Sequence, residues 1–453
     1  MSTMRRLALL ALPLALAGPA QAATWSAPAT LSQTPHTFVG PLRADLGTTG
    51  AAIVAWPWQD GIGGGAAVGA SVVGGAPRGG AFGPERAAPA GLLDVATYAD
   101  SRTIALAQRV AGGAGPTGAL RQRLSVAFGS TAGTFGAPRP LTVAPIVFLP
   151  RLAANRHGQV LVAWVEATRT AAGATRRIVR VAERPSSTGF HAPGTLSGAG
   201  RADALAVAVG DNGDMVTVVV RDGRVLARIK RRGHAWGAFA ELARAEARSS
   251  TRFELHAAVD ARGRIRIVWR RHRFRSAHRP GRLSLEGTVL PRGGSRFRPA
   301  QVIEADGAGR PVLRQAGASW VLAYVRDTAG VPRPAVRLAA ASGAFGDALE
   351  AAPGRGGVRG VDVSYATATG YTVAWVQPVG GQDGDGQAHA AVLAPGATAF
   401  GPVEDVSPAE AVHEVRLVGD EPVAVWSARP DGTGPGVPIA QIRSVVRSAT
   451  RLR

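Results

Sequence analysis

Hydrophobic residues recur along the chain in short runs bounded by glycine, asparagine, aspartate or proline. Some runs alternate apolar and polar positions, as in "FELHAAVDARG", and others are apolar at successive positions, as in "AAIVAW" and "QVLVAW". Alternation is typical of strands with one solvated face, whereas a short continuous apolar run is typical of strands covered on both faces. Because the period of an amphipathic helix is nearly absent, the pattern predicts an all-β protein.

Two landmarks alternate along the chain. One is an apolar run that ends in tryptophan or tyrosine, at Trp56, Trp164, Trp269, Tyr324, Trp375 and Trp426. The other is an aromatic residue with a glycine- or proline-rich step, at Trp25, Phe82, Phe135, Phe190, Trp236, Phe297, Phe345 and Phe400. With a period of about 53 residues and four strand signals per repeat, the chain is predicted to be a β-propeller with four-stranded blades.

The number of repeats predicts eight blades, and seven remain an alternative because the second and fourth copies are weak. An open solenoid of eight units is a further alternative. The first aromatic step precedes the first apolar run, and the last repeat ends after its third strand. The N-terminal strand is therefore expected to join the last blade, which would close the ring and leave no long open sheet edge.

Residues 1–22 have a basic start, an apolar run from Leu7 to Ala17 and a small-residue end at Ala22. This layout is typical of a secretory signal peptide, and the apolar run is too short for a membrane-spanning helix. We expect cleavage after Ala22, a single propeller domain over residues 23–453, and a secreted or periplasmic location without a later transmembrane segment. The sequence contains no cysteine, so disulfide bonds are excluded.

The chain has 52 basic and 31 acidic residues, a formal net charge of +21, and Lys230 as its single lysine. Such a charge attracts polyanions. The preference for arginine over lysine is also typical of a GC-rich bacterial genome, so genomic bias is an alternative source of the charge.

Basic residues are densest between Arg262 and Arg282, where nine arginines occur. Guanidinium groups clustered on one surface suit phosphate, sulfate or carboxylate ligands. Arg264 and Arg266 would share one face of a strand, and the residues that follow Trp269 are predicted to lie in a hairpin loop. The candidate polyanion-binding residues are Arg264, Arg266, Arg270, Arg271, Arg273, Arg275 and Arg279. A solvated basic hairpin without a ligand is the alternative.

The alternation of "FG-P-x-x-LS" steps with "G-x-h-h-VAW" runs resembles the repeat of secreted bacterial β-propeller proteins, loosely called sialidase-like or BNR-repeat proteins. The resemblance spans nearly the whole chain after Ala22 and implies the propeller fold. It does not carry over sialidase catalysis. The nearest equivalents of an Asp-box, "NRHGQVLVAW" and "DARGRIRIVW", lack its serine and threonine, and "FRPA" at Phe297 lies deep in the sixth repeat rather than near the start.

Other catalytic motifs are not found. The nine histidines show no zinc-binding spacing, and no phosphate-binding loop or serine-nucleophile elbow occurs, so neither a metal nor a cofactor is expected. Carboxylates gathered around a channel could still serve a glycosidase. The candidates beside predicted first strands are Asp94, Asp203, Asp260 and Asp362.

The leading hypothesis is an exported, monomeric, non-catalytic binding or scaffold module. Its expected partner is an anionic glycan or other envelope polymer, or another exported protein, and no specific nucleic acid is expected. The alternative is a glycan-active hydrolase or lyase of the sialidase-like propeller type.

Overall fold

The chain folds into antiparallel sheets arranged around a central channel. The computed structural model describes residues 25–33, 36, 38–46, 51–60, 67–76, 81–98, 102–111, 121–169, 175–186, 189–198, 200–245, 250–274, 282–305, 309, 311–316, 319–340, 342–352, 357–358, 360–378, 386–408, 411–418, 423–429 and 445–451. No helix occurs within these ranges, and hence none that is long and apolar enough to cross a membrane. The expected signal peptide, residues 1–22, lies outside them.

The strands fall into units of four, which we number 1 to 8 in chain order. Units 1 to 4 contain β2 (Phe38–Val39), β3 (Arg43–Leu46), β4 (Ala52–Asp60), β5 (Ala67–Ala76), β6 (Ala81–Phe82), β7 (Arg86–Ala87); β8 (Leu92–Tyr98), β9 (Arg102–Ala111), β10 (Arg121–Ser130), β11 (Arg139–Ala144); β12 (Ile146–Ala154), β13 (Val160–Arg169), β14 (Thr175–Arg184), β15 (Gly194–Thr195); and β16 (Ala202–Val209), β17 (Met215–Arg221), β18 (Arg224–Lys230), β19 (Ala240–Arg244).

Units 5 to 8 contain β20 (Ser250–Val259), β21 (Ile265–Phe274), β22 (Arg282–Leu290), β23 (Gln301–Glu304); β24 (Val312–Ala316), β25 (Ser319–Thr328), β26 (Val331–Leu338), β27 (Leu349–Glu350); β28 (Gly360–Ala366), β29 (Gly370–Pro378), β30 (Gly386–Leu393), β31 (Glu404–Asp405); and β32 (Ala411–Val418), β33 (Val423–Arg429), β34 (Val445–Thr450), with β1 (Ala29–Thr30) as the outer strand of unit 8. In unit 1, the innermost and outermost strands are each divided in two.

Hydrogen bonding groups these strands into seven sheets. Six sheets hold one unit each, and the seventh, of eight strands, holds units 7 and 8, which are joined by the single pair Gly386↔Val412. The predicted propeller with four-stranded blades is therefore confirmed. The sequence left seven and eight blades open. The structure has seven blades when they are counted as hydrogen-bonded sheets, and these sheets hold eight repeated units.

The core consists of apolar layers between neighbouring units. The aromatic residue that ends each apolar run is fully enclosed, and Trp56, Trp164, Trp269, Tyr324, Trp375 and Trp426 are all 0% exposed. Apolar clusters join each unit to the next, and unit 8 joins unit 1 through Val425 and Trp56. The second strand of a unit is covered on both faces, which explains why its sequence is apolar at successive positions.

The ring is closed by the N-terminal strand, as the sequence predicts. Strand β1 pairs with β34, and Ala29 faces Ser448. The backbone N–H of Ser26 donates to the carbonyl of Thr450 at 2.8 Å. Unit 8 therefore takes its outer strand from the opposite end of the chain.

Candidate functional site

The first strand of each unit lines the channel, and irregularities near its start determine which side chains enter. The pairing register shifts between Leu92 and Asp94 in β8, and between Phe148 and Arg151 in β12. In the second of these, Leu149 has a φ of 53°, a left-handed conformation that is unusual for a leucine. Because such a bulge reorients the side chains that follow it, Asp94 and Arg151 point into the channel.

First strands of several units surround a cavity of about 430 Å³ in the channel. Its charged lining residues come from five different units, and they are Arg43, Asp94, Arg151, Arg314 and Arg416. Leu42, Ala44, Leu93 and Pro150 complete the lining. Four guanidinium groups thus face one carboxyl group, so the lining is strongly electropositive.

Two of the arginines are held by backbone carbonyls in the same way. Arg43 Nε donates to the carbonyl of Leu93 in the next unit at 2.7 Å, and Nη1 donates to the carbonyl of the preceding residue at 3.2 Å. Arg151 Nε donates to the carbonyl of Leu205 in the next unit at 3.0 Å, and Nη1 again bonds the preceding carbonyl at 3.0 Å. Carbonyl partners fix the orientation of both guanidinium groups but do not neutralise their charge.

The other two arginines are held by carboxylates. Arg314 Nη2 lies 3.4 Å from Asp362 Oδ1, yet 44% of the Arg314 side chain remains exposed. Arg416 Nη2 lies 2.5 Å from Glu414 Oε1. Arg416 Nε is buried without a hydrogen-bond partner among the described residues. The side chains of Arg314 and Arg416 are 44% and 28% exposed, so a ligand in the cavity can reach part of each.

Among the described residues that line the cavity, Asp94 is the acidic one. Burial raises the pKa of its carboxyl group to about 6, although the charges of Arg43 and Arg151 act in the opposite direction. Asp94 Oδ1 accepts the N–H of Val95 at 3.0 Å and lies 3.9 Å from Arg43 Nε. A carboxyl group that titrates near neutral pH is able to take up or release a proton there.

Strand β20 carries two further titratable residues of the channel wall, Glu254 and His256. Glu254 Oε2 pairs with Arg270 Nη2 at 2.9 Å, and Glu254 Oε1 lies 4.0 Å from His256 Nε2. Burial lowers the pKa of His256 to about 4; Glu254 opposes this shift, and the nearby charges of Arg151, Arg270 and Arg314 contribute to it. The imidazole is therefore neutral at pH 7.

A second cavity, of about 360 Å³, lies further along the same strands. Asp45, Thr97, Asn155, Arg156 and Asp211 are among its lining residues. Asp45 Oδ2 accepts the backbone N–H and the hydroxyl of Thr97 at 2.6 and 3.0 Å, and burial raises the pKa of this carboxyl group. Its contacts link units 1 and 2, so we assign Asp45 a structural role.

The predicted hairpin-loop position of Arg270, Arg271 and Arg273 is wrong, because strand β21 continues to Phe274. Alternation along the strand places Arg270 on one face and Arg271 on the other. Arg270 pairs with Glu254, and Arg271 Nη2 lies 3.0 Å from Glu286 Oε2, with both of those side chains nearly buried. These arginines therefore do not form one continuous surface.

Arg264 and Arg266 both lie against the ring of Trp320, at 4.5 and 5.2 Å from its centroid. Arg264 Nε also pairs with Asp260 Oδ2 at 2.6 Å. The remaining two candidates, Arg275 and Arg279, lie outside the described residues. Whether this group of seven arginines binds a ligand stays a prediction.

The four candidate carboxylates occupy different environments. Asp94 lines the cavity, whereas Asp362 is 0% exposed and accepts backbone N–H groups. Asp203 pairs with surface arginines. Asp260 lies in the β20–β21 turn, where it is 1% exposed and accepts the N–H of Arg264 at 2.8 Å. Of the four, Asp94 is the one that reaches the cavity.

Sequence reasoning missed the four channel arginines. Each lies in a first strand and is preceded by an apolar residue or proline, in "LR", "PR", "LR" and "VR". Arg43 and Arg151 lie 13 residues before the tryptophan of their repeats, and Arg314 and Arg416 lie 10 residues before the corresponding aromatic residue. Aligning the repeats on that aromatic residue would have shown two recurring arginine positions, one 13 and one 10 residues before it.

Comparison with known proteins gives no family assignment. No protein-family model matches the chain, and no curated protein matches it. Similar solved structures include a protein of unknown function from Dyadobacter fermentans (TM-score 0.39, 12% identity, 94% of this chain and 98% of that chain). They also include an ulvan lyase of polysaccharide lyase family PL25 (0.40, 10%, 77% and 90%) and the Trypanosoma rangeli sialidase (0.35, 9%, 91% and 54%). At these values, the likenesses carry no information about function.

Proposed function

We propose that the protein is an exported binding module that holds an acidic sugar unit of an anionic polymer in the arginine-lined cavity of the channel. One observation carries the proposal. Guanidinium groups from four units, those of Arg43, Arg151, Arg314 and Arg416, converge on one cavity that contains a single described carboxyl group, that of Asp94.

The chemistry of the lining favours a carboxylate or sulfate ligand. Guanidinium groups present planar pairs of N–H donors that match the oxygen atoms of these anions. The cavity volume, about 430 Å³, falls within the range of about 300–1,000 Å³ that is usual for small-molecule sites. This space suits one or two sugar units of a polymer, with the rest of the polymer outside the channel.

The test is a binding titration of the full chain with uronate-containing, sulfated and neutral oligosaccharides at two salt concentrations. We expect binding of the acidic sugars, and weaker binding at high salt because exposed charges are screened. Arg43→Gln and Arg151→Gln should each weaken binding about tenfold or more, since a charge-assisted hydrogen bond contributes about 1.5–3 kcal/mol.

A matched control is Arg201→Gln in unit 4, whose side chain is 75% exposed and lies outside the cavity lining. This variant removes the same charge and should bind like the wild type. Equal affinities for wild type, Arg43→Gln and Arg151→Gln would contradict the proposal. Failure of every acidic sugar to bind at low salt would contradict it as well.

A second candidate function, a glycan hydrolase or lyase, is favoured by the state of the titratable groups. Asp94, with a pKa of about 6, could act as a general acid or base, and His256 is a neutral imidazole on the same channel wall. Asp94→Asn separates the two functions. In a binding module, this loss of negative charge tightens anion binding, and no product is released by either form. In an enzyme, product release from the polymer stops although the polymer still binds.

A further inference from the structure

Arg266 is a buried cation at a position that is aliphatic in units 1 and 3. It is 2% exposed and lies three residues before Trp269 in strand β21. The residues at the same distance from the aromatic residue in units 1 and 3 are Ile53 and Leu161, both 0% exposed. A charge therefore replaces an aliphatic side chain in the layer between units 5 and 6.

The surroundings of Arg266 stabilise a cation but do not neutralise it. Its Cζ lies 5.2 Å from the ring centroid of Trp320 and 4.5 Å from that of Phe345. The faces of aromatic rings attract a guanidinium group. They do not, however, supply acceptors for the hydrogen bonds that its N–H groups make in the guanidinium plane. Burial, together with the like charges of Arg264 and Arg298, lowers the pKa of Arg266 to about 10, so the side chain is still protonated at pH 7.

Three buried donors in this layer have no acceptor among the described residues. They are Arg266 Nε, Arg266 Nη2 and Trp320 Nε1. Buried donors are nearly always paired, and an unpaired buried charge is costly. The backbone next to the guanidinium group is a glycine, and a Cβ at Gly343 would come within 3.2 Å of Nη2. The missing acceptor must therefore be small.

We propose that Arg266 is the centre of a binding site for a small inorganic anion, of the size and charge of chloride, between units 5 and 6. A monovalent ion matches the charge of Arg266 itself, because Arg264 is already paired with Asp260 and Arg298 is exposed to solvent, which screens its charge. A polymer cannot reach a side chain that is 2% exposed. The site is separate from the arginine-lined cavity and independent of the function proposed there.

The direct test is a crystal of the full chain grown or soaked in sodium bromide, with bromide located by anomalous scattering. We expect a bromide peak within about 3.5 Å of Arg266 Nε or Nη2. A peak that is absent there, or an ordered water in its place, would overturn the proposal.

Thermal unfolding gives an independent measurement in solution. In sodium chloride, the melting temperature of the wild type should rise to a plateau, above its value in sodium gluconate at equal ionic strength, because a ligand of the folded state stabilises it. Arg266→Met, which restores an apolar side chain, should lose this difference, and the exposed-charge control Arg201→Gln should keep it. A chloride effect of equal size in Arg266→Met would refute the assignment, and if that variant does not fold, the bromide measurement decides.

Discussion

Replacing Asp362 by alanine tests whether the channel carboxylates other than Asp94 hold neighbouring units together. Asp362 is 0% exposed, its Oδ1 accepts the N–H of Val363 at 2.9 Å, and its Oδ2 accepts the N–H of Leu417 in the next unit at 3.1 Å. Alanine leaves both N–H groups without these acceptors, and it also removes the carboxylate 3.4 Å from Arg314 Nη2, a half-exposed pair that adds little. A buried unpaired donor costs about 1–3 kcal/mol, so two cost about 2–6 kcal/mol.

Part of that cost is offset, because the substitution also removes a buried carboxylate that was costly to desolvate. We therefore expect a net loss of about 3 kcal/mol in the free energy of unfolding. The assay is guanidinium chloride unfolding followed by tryptophan fluorescence, with the slope of the transition compared between variants to confirm that the same surface unfolds.

Asp203→Ala is the matched control. Asp203 also lies on a first strand, but its side chain is 39% exposed and pairs with the surface residues Arg177 and Arg201. Exposed ion pairs contribute about 0–1 kcal/mol, so this variant should unfold almost like the wild type. If Asp362→Ala loses no more stability than Asp203→Ala, the inter-unit role of Asp362 is wrong.

Two further predictions concern pH and ring closure. Because burial raises the pKa of Asp94 from its usual 3.8 to about 6, the folded chain binds this proton more tightly than the unfolded chain. The free energy of unfolding of the wild type, relative to that of Asp94→Asn, should therefore fall as the pH rises from about 4 to 6. A difference between the two free energies that stays constant across this range would contradict the raised pKa. Cysteines at positions 29 and 448, which are Cα partners, should form a disulfide in a chain that has no other cysteine. Closing the ring covalently should stabilise it by about 2–4 kcal/mol, seen as a higher melting temperature without reductant than with it; no difference would indicate that the two strands do not pair.

The fold was predictable because its determinants are local and repeated. The apolar runs ending at Trp56 or Trp164 need two covered faces, and a period of about 53 residues supplies them in a ring of sheets. The blade count was less accessible. The number of separate sheets depends on whether strands of adjacent units are hydrogen-bonded to each other, as they are at Gly386 and Val412. A single contact of this kind leaves no periodic signal in the sequence.

The candidate site was harder to predict, because it is assembled from residues far apart in the sequence. Arg43, Arg151 and Arg314 are isolated in the chain, and their convergence depends on ring geometry and on bulges such as the one that contains Leu149. The density of arginine around Trp269 drew attention instead. There, strand alternation separates the side chains, and nearby carboxylates such as Glu254 and Glu286 pair with Arg270 and Arg271.

The shared construction of unit 8 has a consequence for how the protein folds. Every other unit is assembled from neighbouring stretches of chain, whereas the contact between Ser26 and Thr450 joins residues 424 positions apart. Contacts of such long range form late, because the entropy of a long loop is lost before they stabilise it. We therefore expect the pairing of β1 with β34 to be the last part of the ring to form during synthesis and the first to separate under force. The strand edges exposed when this pair is open would be the place where aggregation starts.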